Sequence, residues 1–299
     1  MITVQKPMQS DGTAKTIVIR EMGVRDGLQN EKQIVSTQDK LKMIQLLIEA
    51  GVTYIEATAF VSAKAIPQMS DAVQVAKHLP KNPNVTFSAL VPNEKGFETA
   101  IASYPFPEIA VFTAASETFN QKNINTTIAG SFERFAPVMK KALDKNIRVR
   151  GYVSTAFYCP YEGKISPAQV MPVIERLFDM GCYEVSIGDT IGKATPKDID
   201  ALFKLIDEKQ WISKVAGHYH DTYQMALKNV EATMKWGVTV FDTSVGGIGG
   251  CPYAPGASGN LATDDLVLHL DNQGIDAGID LAKLLKVSTF LQKIISHPR

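Results

Sequence analysis

The chain has 299 residues, 45% hydrophobic and 21% charged, and its 31 basic residues balance 31 acidic ones. A formal net charge of zero excludes a general polyanion binder, so no nucleic-acid partner is expected. A chain of this length buries roughly 75% of its unfolded surface and needs neither a disulfide nor a metal in order to fold. Three cysteines, Cys159, Cys182 and Cys251, lack Cys-x-x-Cys spacing, which points to free thiols in a reducing compartment. No apolar run approaches the ~20 residues a membrane span requires. The start, MITVQKPMQSDGTAK, has no signal-peptide apolar core and no Arg-rich transit pattern. We expect an irregular lead-in over residues 1–15, one domain over residues 16–299, and cytoplasmic residence without membrane association.

From Thr16 onward, short β-branched runs alternate with segments of helical period. The first predicted strand, Thr16–Met22, precedes DKLKMIQLLIEAG, where Leu41, Ile44, Leu47 and Ile48 share a helical face. Strands follow at Val52–Ala57, Val85–Val91, Glu108–Thr113, Ile147–Ser154, Tyr183–Ile187, Lys214–Tyr219 and Val238–Asp242. Amphipathic stretches such as SFERFAPVMKKALDK, SPAQVMPVIERLFDMG and ALKNVEATMKWG lie between them. Gly51, Gly181 and Gly237 stand where helices should end. Eight such units in an α/β chain predict a closed (β/α)8 TIM barrel, with an additional C-terminal helix from about Asp280 to Ile295 packed outside it. Gly246–Gly250 follow the last strand without G-x-G-x-x-G spacing, so a dinucleotide fold is not supported.

Chemistry in such a barrel collects where the strands end. Arg25 and Asp26 follow the first strand, Glu56 closes the second, and Ser186 and Asp189 follow the sixth. His218 and His220 close the seventh at i, i+2 spacing, which puts both rings on one face. Taken alone, H-x-H is more often a hydrogen-bonded pair than a metal site. Asp26 and Asn260 at the same mouth shift that balance toward a mixed N/O site compatible with magnesium, manganese or iron. Arg25 is either a rim ion-pair partner of Asp26 or, held by Glu56, a cation aimed at developing negative charge. Cys251, in GGIGGCPYAPGASGN, is either an inert thiol or an exposed proton donor in a glycine-rich loop. Cys159 and Cys182 are read as structural, and His78, His269 and His297 as solvated. Tyr152, Ser186 and Asp189 are equally open to a purely structural role lining the barrel.

The blocks RDGLQNEK, IEATAFVS, GYVS…CPYEGKI, EVSIGDTIG, GHYHDTY and GGCPYAPGASGNLATDDL, in this order, resemble the 3-hydroxy-3-methylglutaryl-CoA lyase family from about Ile17 onward. The resemblance implies cleavage of 3-hydroxy-3-methylglutaryl-CoA to acetyl-CoA and acetoacetate, as in leucine catabolism, by a homodimer. It implies a divalent cation, Mg or Mn, on Asp26, His218, His220 and Asn260. It further implies Arg25 at the enolate oxygen with Glu56 holding it, Asp26 helping to remove the hydroxyl proton, Cys251 in proton transfer, and Asp189 and His218 linked to activity. Gln29, Tyr152, Ser186 and Thr190 are the expected substrate contacts besides Arg25, and Lys32 is placed to meet a CoA phosphate. Two departures stand out: Ala59 replaces the family's usual Ser in the carboxylate-facing part of the pocket, and Gln224 replaces a usual Gly. Alternatives are a lyase for a larger 3-hydroxy-3-alkylglutaryl-CoA, a condensing synthase for acetyl-CoA and a 2-oxo acid, and a non-catalytic acyl-CoA binder.

Overall fold

The computed structural model describes residues 16–249 and 259–295; the lead-in over residues 1–15, Cys251 and His297 lie outside them. The chain opens with β1 (Val18–Glu21), a π-helical turn at Gly23–Gly27 and α1 (Thr37–Glu49). It continues through β2 (Tyr54–Ala59), α2 (Ala72–Lys77), β3 (Thr86–Leu90), α3 (Glu94–Ser103), β4 (Glu108–Ala114), α4 (Glu117–Ile124) and α5 (Ile128–Asp144). Next come β5 (Arg148–Ser154), a small hairpin of β6 (Tyr158–Cys159) and β7 (Gly163–Lys164), α6 (Pro167–Asp179), β8 (Glu184–Asp189) and α7 (Pro196–Glu208). The last elements are β9 (Val215–Tyr219), α8 (Ala226–Lys235), β10 (Val240–Thr243), α9 (Thr263–Asn272) and α10 (Leu281–Ile294).

Eight strands close into a parallel barrel in the order β1-β10-β9-β8-β5-β4-β3-β2. Each strand expected from the sequence corresponds to one of these, with ends displaced by no more than two residues. Helix starts are set by local hydrogen bonding: Ser36, Asn93, Ser116 and Thr127 each accept a backbone N–H of the first turn. Helix ends at Gly51, Gly181 and Gly237 have left-handed φ values of 98°, 100° and 93°, as their position predicts.

The buried face of α1 is centred on Lys40, Met43, Ile44 and Leu47, while Leu41 and Ile48 are only half-buried. The face is rotated because Lys40 is recruited inward, its ammonium bonding the Gln68 carbonyl and Asp71 at 2.5 Å each. The C-terminal helix packs outside the barrel as expected, with α10 lying on α1 and α9.

The main apolar core lies between sheet and helices. Ile109 and Val111 of β4, Val149 and Val153 of β5, and Val185 and Ile187 of β8 are all buried there. Alternate positions point into the lumen, and several of them are charged. Arg20 of β1 reaches across to Glu108 of β4 at 2.7 Å, and Arg150 of β5 reaches Glu184 at 2.6 Å and Asp242 of β10 at 2.9 Å. An ionic filling thus replaces the branched aliphatic layers usual inside such barrels.

Candidate active site and metal centre

The π-helical turn after β1 places the first two functional side chains. The N–H groups of Arg25, Asp26 and Gly27 all converge on the Met22 carbonyl, at 3.1, 2.7 and 3.2 Å. This widened turn projects consecutive residues toward the same mouth. Arg25 is buried; its Nε donates to Glu56 Oε2 and its Nη1 to Asp26 Oδ1 at 2.6 Å. Burial works against the guanidinium charge, but Glu56 and then Asp26 more than restore it. Arg25 is thus paired with Asp26 and held by Glu56 in one arrangement.

Glu56 does not close its strand. It is the third residue of β2, and a register shift between Glu56 and Thr58 marks a bulge just beyond it. The bulge resets the alternation, so that Ala59 pairs with Leu90, whose side chain lines the cavity. Ala59 itself is fully buried and is not among the lining residues. Tyr152 braces the other carboxylate oxygen of Glu56 through its hydroxyl at 3.2 Å.

Asp26, His218 and His220 offer ligand atoms that lie within 4.8 Å of one another. The imidazole centroids are 5.6 Å apart, as expected for i, i+2 neighbours on one strand face. Asn260 joins them through an isolated bridge to His220, and its amide nitrogen donates to Asp26 Oδ2 at 2.8 Å. The four side chains expected to share an ion therefore meet, although more than two hundred positions separate the first from the last.

Their chemistry suits a divalent cation. Burial alone would raise Asp26, but Arg25 and the two histidines outweigh it and hold the carboxyl below its usual range. Burial, reinforced by His218, pushes His220 down to about 4, so its ring is neutral near pH 7. Among the described residues none bonds the buried His220 Nδ1, a cost that a bound cation would relieve. His218 donates or accepts at Nδ1 with Asp242 at 3.1 Å, leaving Nε2 on the side of Asp26. As a ligand Asn260 would present its amide oxygen in place of the nitrogen now facing Asp26.

These groups border a cavity of about 460 Å³. Gln29, Tyr152, Ser186 and Thr190, the residues expected to meet substrate, line it. Among the described residues none bonds the buried Gln29 Oε1, so it offers an acceptor to a bound molecule. Thr190 Oγ1 accepts from the Thr155 N–H at 2.7 Å and keeps its own hydrogen to donate. The Ser186 hydroxyl is committed to Asp242 Oδ2 at 2.6 Å.

Asp189 is not brought into the cavity. It ends β8 rather than following it, one position out of phase with the lining residues Ser186 and Gly188. Fully buried, it accepts the N–H groups of Lys193 and Ala194 at 3.1 and 2.9 Å, and burial still raises it to about 7. The loop it shapes backs the Asp26–His218–His220 cluster: a Cβ on Gly192 would stand 2.7 Å from the His220 carbonyl oxygen. Lys32 is exposed and does not line the cavity. Three residues that local sequence pattern did not single out border the site: Arg134 in the cavity wall, and Arg150 with Asp242 behind His218. Cys159 and Cys182 are free and buried, and burial pushes the Cys182 thiol up to about 12, consistent with structural roles.

Two adjacent imidazoles, of which His220 is held neutral by burial and His218, despite burial, is drawn toward its charged form by Asp242, join an ionised carboxylate and a clamped guanidinium at the open end of a (β/α)8 barrel, the site of a cation-dependent barrel enzyme. Comparison with known proteins narrows this class. The HMGL-like family model matches residues 16–291, and the chain belongs to that family. Over 283 residues it is 52% identical to the mitochondrial hydroxymethylglutaryl-CoA lyase of Pongo abelii, covering 95% of this chain and 87% of the relative. It is 47% identical over 273 residues to the hydroxymethylglutaryl-CoA lyase of Pseudomonas mevalonii, covering 91% and 90%. The crystal structure of the Pseudomonas aeruginosa hydroxymethylglutaryl-CoA lyase superimposes with a TM-score of 0.92 at 44% identity, covering 95% of this chain and 94% of that one.

Proposed function

We propose that this chain is a carbon–carbon lyase that cleaves 3-hydroxy-3-methylglutaryl-CoA to acetyl-CoA and acetoacetate, with Mg or Mn held by Asp26, His218, His220 and Asn260. The observation that carries this reading is the joint placement of the Arg25–Glu56 pair and the Asp26–His218–His220 cluster in one cavity of a chain of the HMGL-like family.

Cleavage requires loss of the tertiary hydroxyl proton, scission of the bond between the carbinol carbon and the thioester α-carbon, and protonation of that carbon. A divalent cation supplies Lewis acidity that makes the hydroxyl a stronger acid. Arg25, oriented by Glu56 and Tyr152, presents fixed positive charge to the thioester oxygen as the enolate develops. Gln29 and Thr190 offer an acceptor and a donor that orient the acyl group. Leu90, Phe112, Phe119 and Ile124 give the cavity an apolar wall that excludes water from the enolate, and Arg134 adds a cation for an anionic substituent. Cys251 is assigned as proton donor to the α-carbon.

The test is acetoacetate formation after exhaustive chelation. Activity should vanish and return with Mg or Mn; activity indifferent to chelation overturns the cation assignment. The second reading that the sequence left open, a 3-alkyl group larger than methyl, gains no support from Ala59, which is buried outside the cavity lining. Turnover of a panel of 3-hydroxy-3-alkylglutaryl-CoA analogues separates the two. Cytoplasmic residence, which the free thiols of Cys159 and Cys182 favour, and a homodimer complete the proposal; cell fractionation and light scattering test them.

A further inference from the structure

Asp242 sits inside the barrel on β10, fully buried, directly behind His218. We propose that Asp242 is a positioning residue that decides which nitrogen of His218 carries the proton, and that Arg150 holds Asp242 in place for it. The inference rests on the cation site proposed above and explains what makes His218 able to serve in it.

The geometry leaves Asp242 little freedom. Its Oδ2 receives Arg150 Nη1 at 2.9 Å, Ser186 Oγ at 2.6 Å and His218 Nδ1 at 3.1 Å. Its Oδ1 pairs with Arg150 Nη2 at 2.9 Å. A carboxylate engaged by a guanidinium and a hydroxyl has only lone pairs to offer the ring, so the proton between it and His218 resides on Nδ1. The other nitrogen, Nε2, then presents a lone pair, and it lies on the side of Asp26, 4.0 Å from Oδ2.

Arg150 is itself braced. Its Nε donates to Glu184 Oε1 at 2.6 Å, Glu184 meets Arg20 at 3.2 Å, and Arg20 reaches Glu108 at 2.7 Å. Charges of alternating sign thus run from the starts of β4 and β8 up to the imidazole, so Asp242 cannot rotate away without unpairing Arg150. Among the described residues His220 has no such brace, because none of them bonds its Nδ1. The two histidines of the cluster are therefore unequal: one is orientated by the protein and the other is not.

The test uses Asp242→Asn, which keeps shape but puts an amide donor where the carboxylate accepts. Histidine-15N NMR of the metal-free protein at alkaline pH reads the tautomer, and titration with MnCl2 followed by EPR reads affinity. We expect wild type to carry the His218 proton on Nδ1 and the variant to carry it on Nε2. Mn affinity should then fall ~10–100-fold in the variant. A wild-type His218 protonated on Nε2, or a variant that binds Mn as tightly as wild type, overturns the proposal. If the variant does not fold, the wild-type tautomer alone decides. Wild type that binds no Mn overturns the cation-site reading instead, and the two failures are told apart by that control.

Discussion

Glu21 ties together three parts of the mouth, and replacing it with Gln gives a signed expectation. Its Oε1 accepts the N–H of Gly23, at the head of the Arg25–Asp26 turn, and that of Val245, where the glycine-rich loop departs. Its Oε2 accepts the hydroxyl of Thr263, where the chain returns from that loop. Even with these three donors, burial raises the carboxyl from 4.5 to about 7. Below 4.5 both folded and unfolded states hold the proton and no penalty exists. As pH rises through that range the unfolded chain ionises first, so unfolding gains about 3 kcal/mol by the time the folded carboxyl ionises, at ~1.4 kcal/mol per pH unit. Glutamine carries no charge and should escape this loss. Its amide oxygen can serve the two backbone donors, and its NH2 can donate to Thr263, whose hydroxyl can turn toward Thr243 Oγ1 at 2.8 Å. Urea unfolding of both proteins at ~pH 5 and ~pH 8 checks this: Glu21→Gln should gain most of ~3 kcal/mol relative to wild type across that interval. Asp189, raised to the same region, contributes equally to both proteins and cancels. A stability difference that stays flat with pH would refute the reasoning and show that the three donors keep Glu21 ionised.

Gln224 holds a left-handed φ of 57°, where a side chain is strained, so Gln224→Gly should stabilise the fold by about 1 kcal/mol and leave turnover unchanged. Thermal unfolding of the two proteins reads this. Glu56→Gln keeps a hydrogen bond to Arg25 but removes the charge that orients it; we expect kcat and kcat/KM to fall together by ~10²-fold, because the interaction serves the transition state. An unchanged kcat with raised KM would instead make Arg25 a simple substrate anchor. His220→Ala should weaken Mn binding in a calorimetric titration, and a fully metallated, active variant would remove His220 from the ligand set. Cys251→Ser should depress turnover without moving Mn affinity, and near-normal turnover would end its role as proton donor.

The barrel was legible because β-branched runs and helical periods alternate locally, and the H-x-H and Arg-Asp pairs fall at strand ends by the same rhythm. What escaped was phase within the strands. VIRE, RVRGYVS, EVSIGD and VFDT each carry charges in segments too buried for solvent to satisfy, and that was the available signal for an ionic lumen. The expected strand Val52–Ala57 stops two residues short of the observed end of β2 at Ala59, which puts Glu56 near a terminus it does not occupy. The same one-residue phase separates Asp189, turned toward its own loop, from Ser186 and Gly188 at the cavity. Arg134 arrives from α5 by tertiary packing, and nothing in its neighbourhood along the chain announces it.

The row of ion pairs inside the lumen bears on protein engineering. Barrel design usually treats the floor as a stability module and the rim as an interchangeable set of loops. Here Glu108, the first residue of β4, also meets Arg148, which is 48% exposed, so the far end of the row is open to water, salt and mutation. Grafting a new rim onto this scaffold, or trimming its floor, would alter the footing on which His218 stands, and the two halves must be redesigned together.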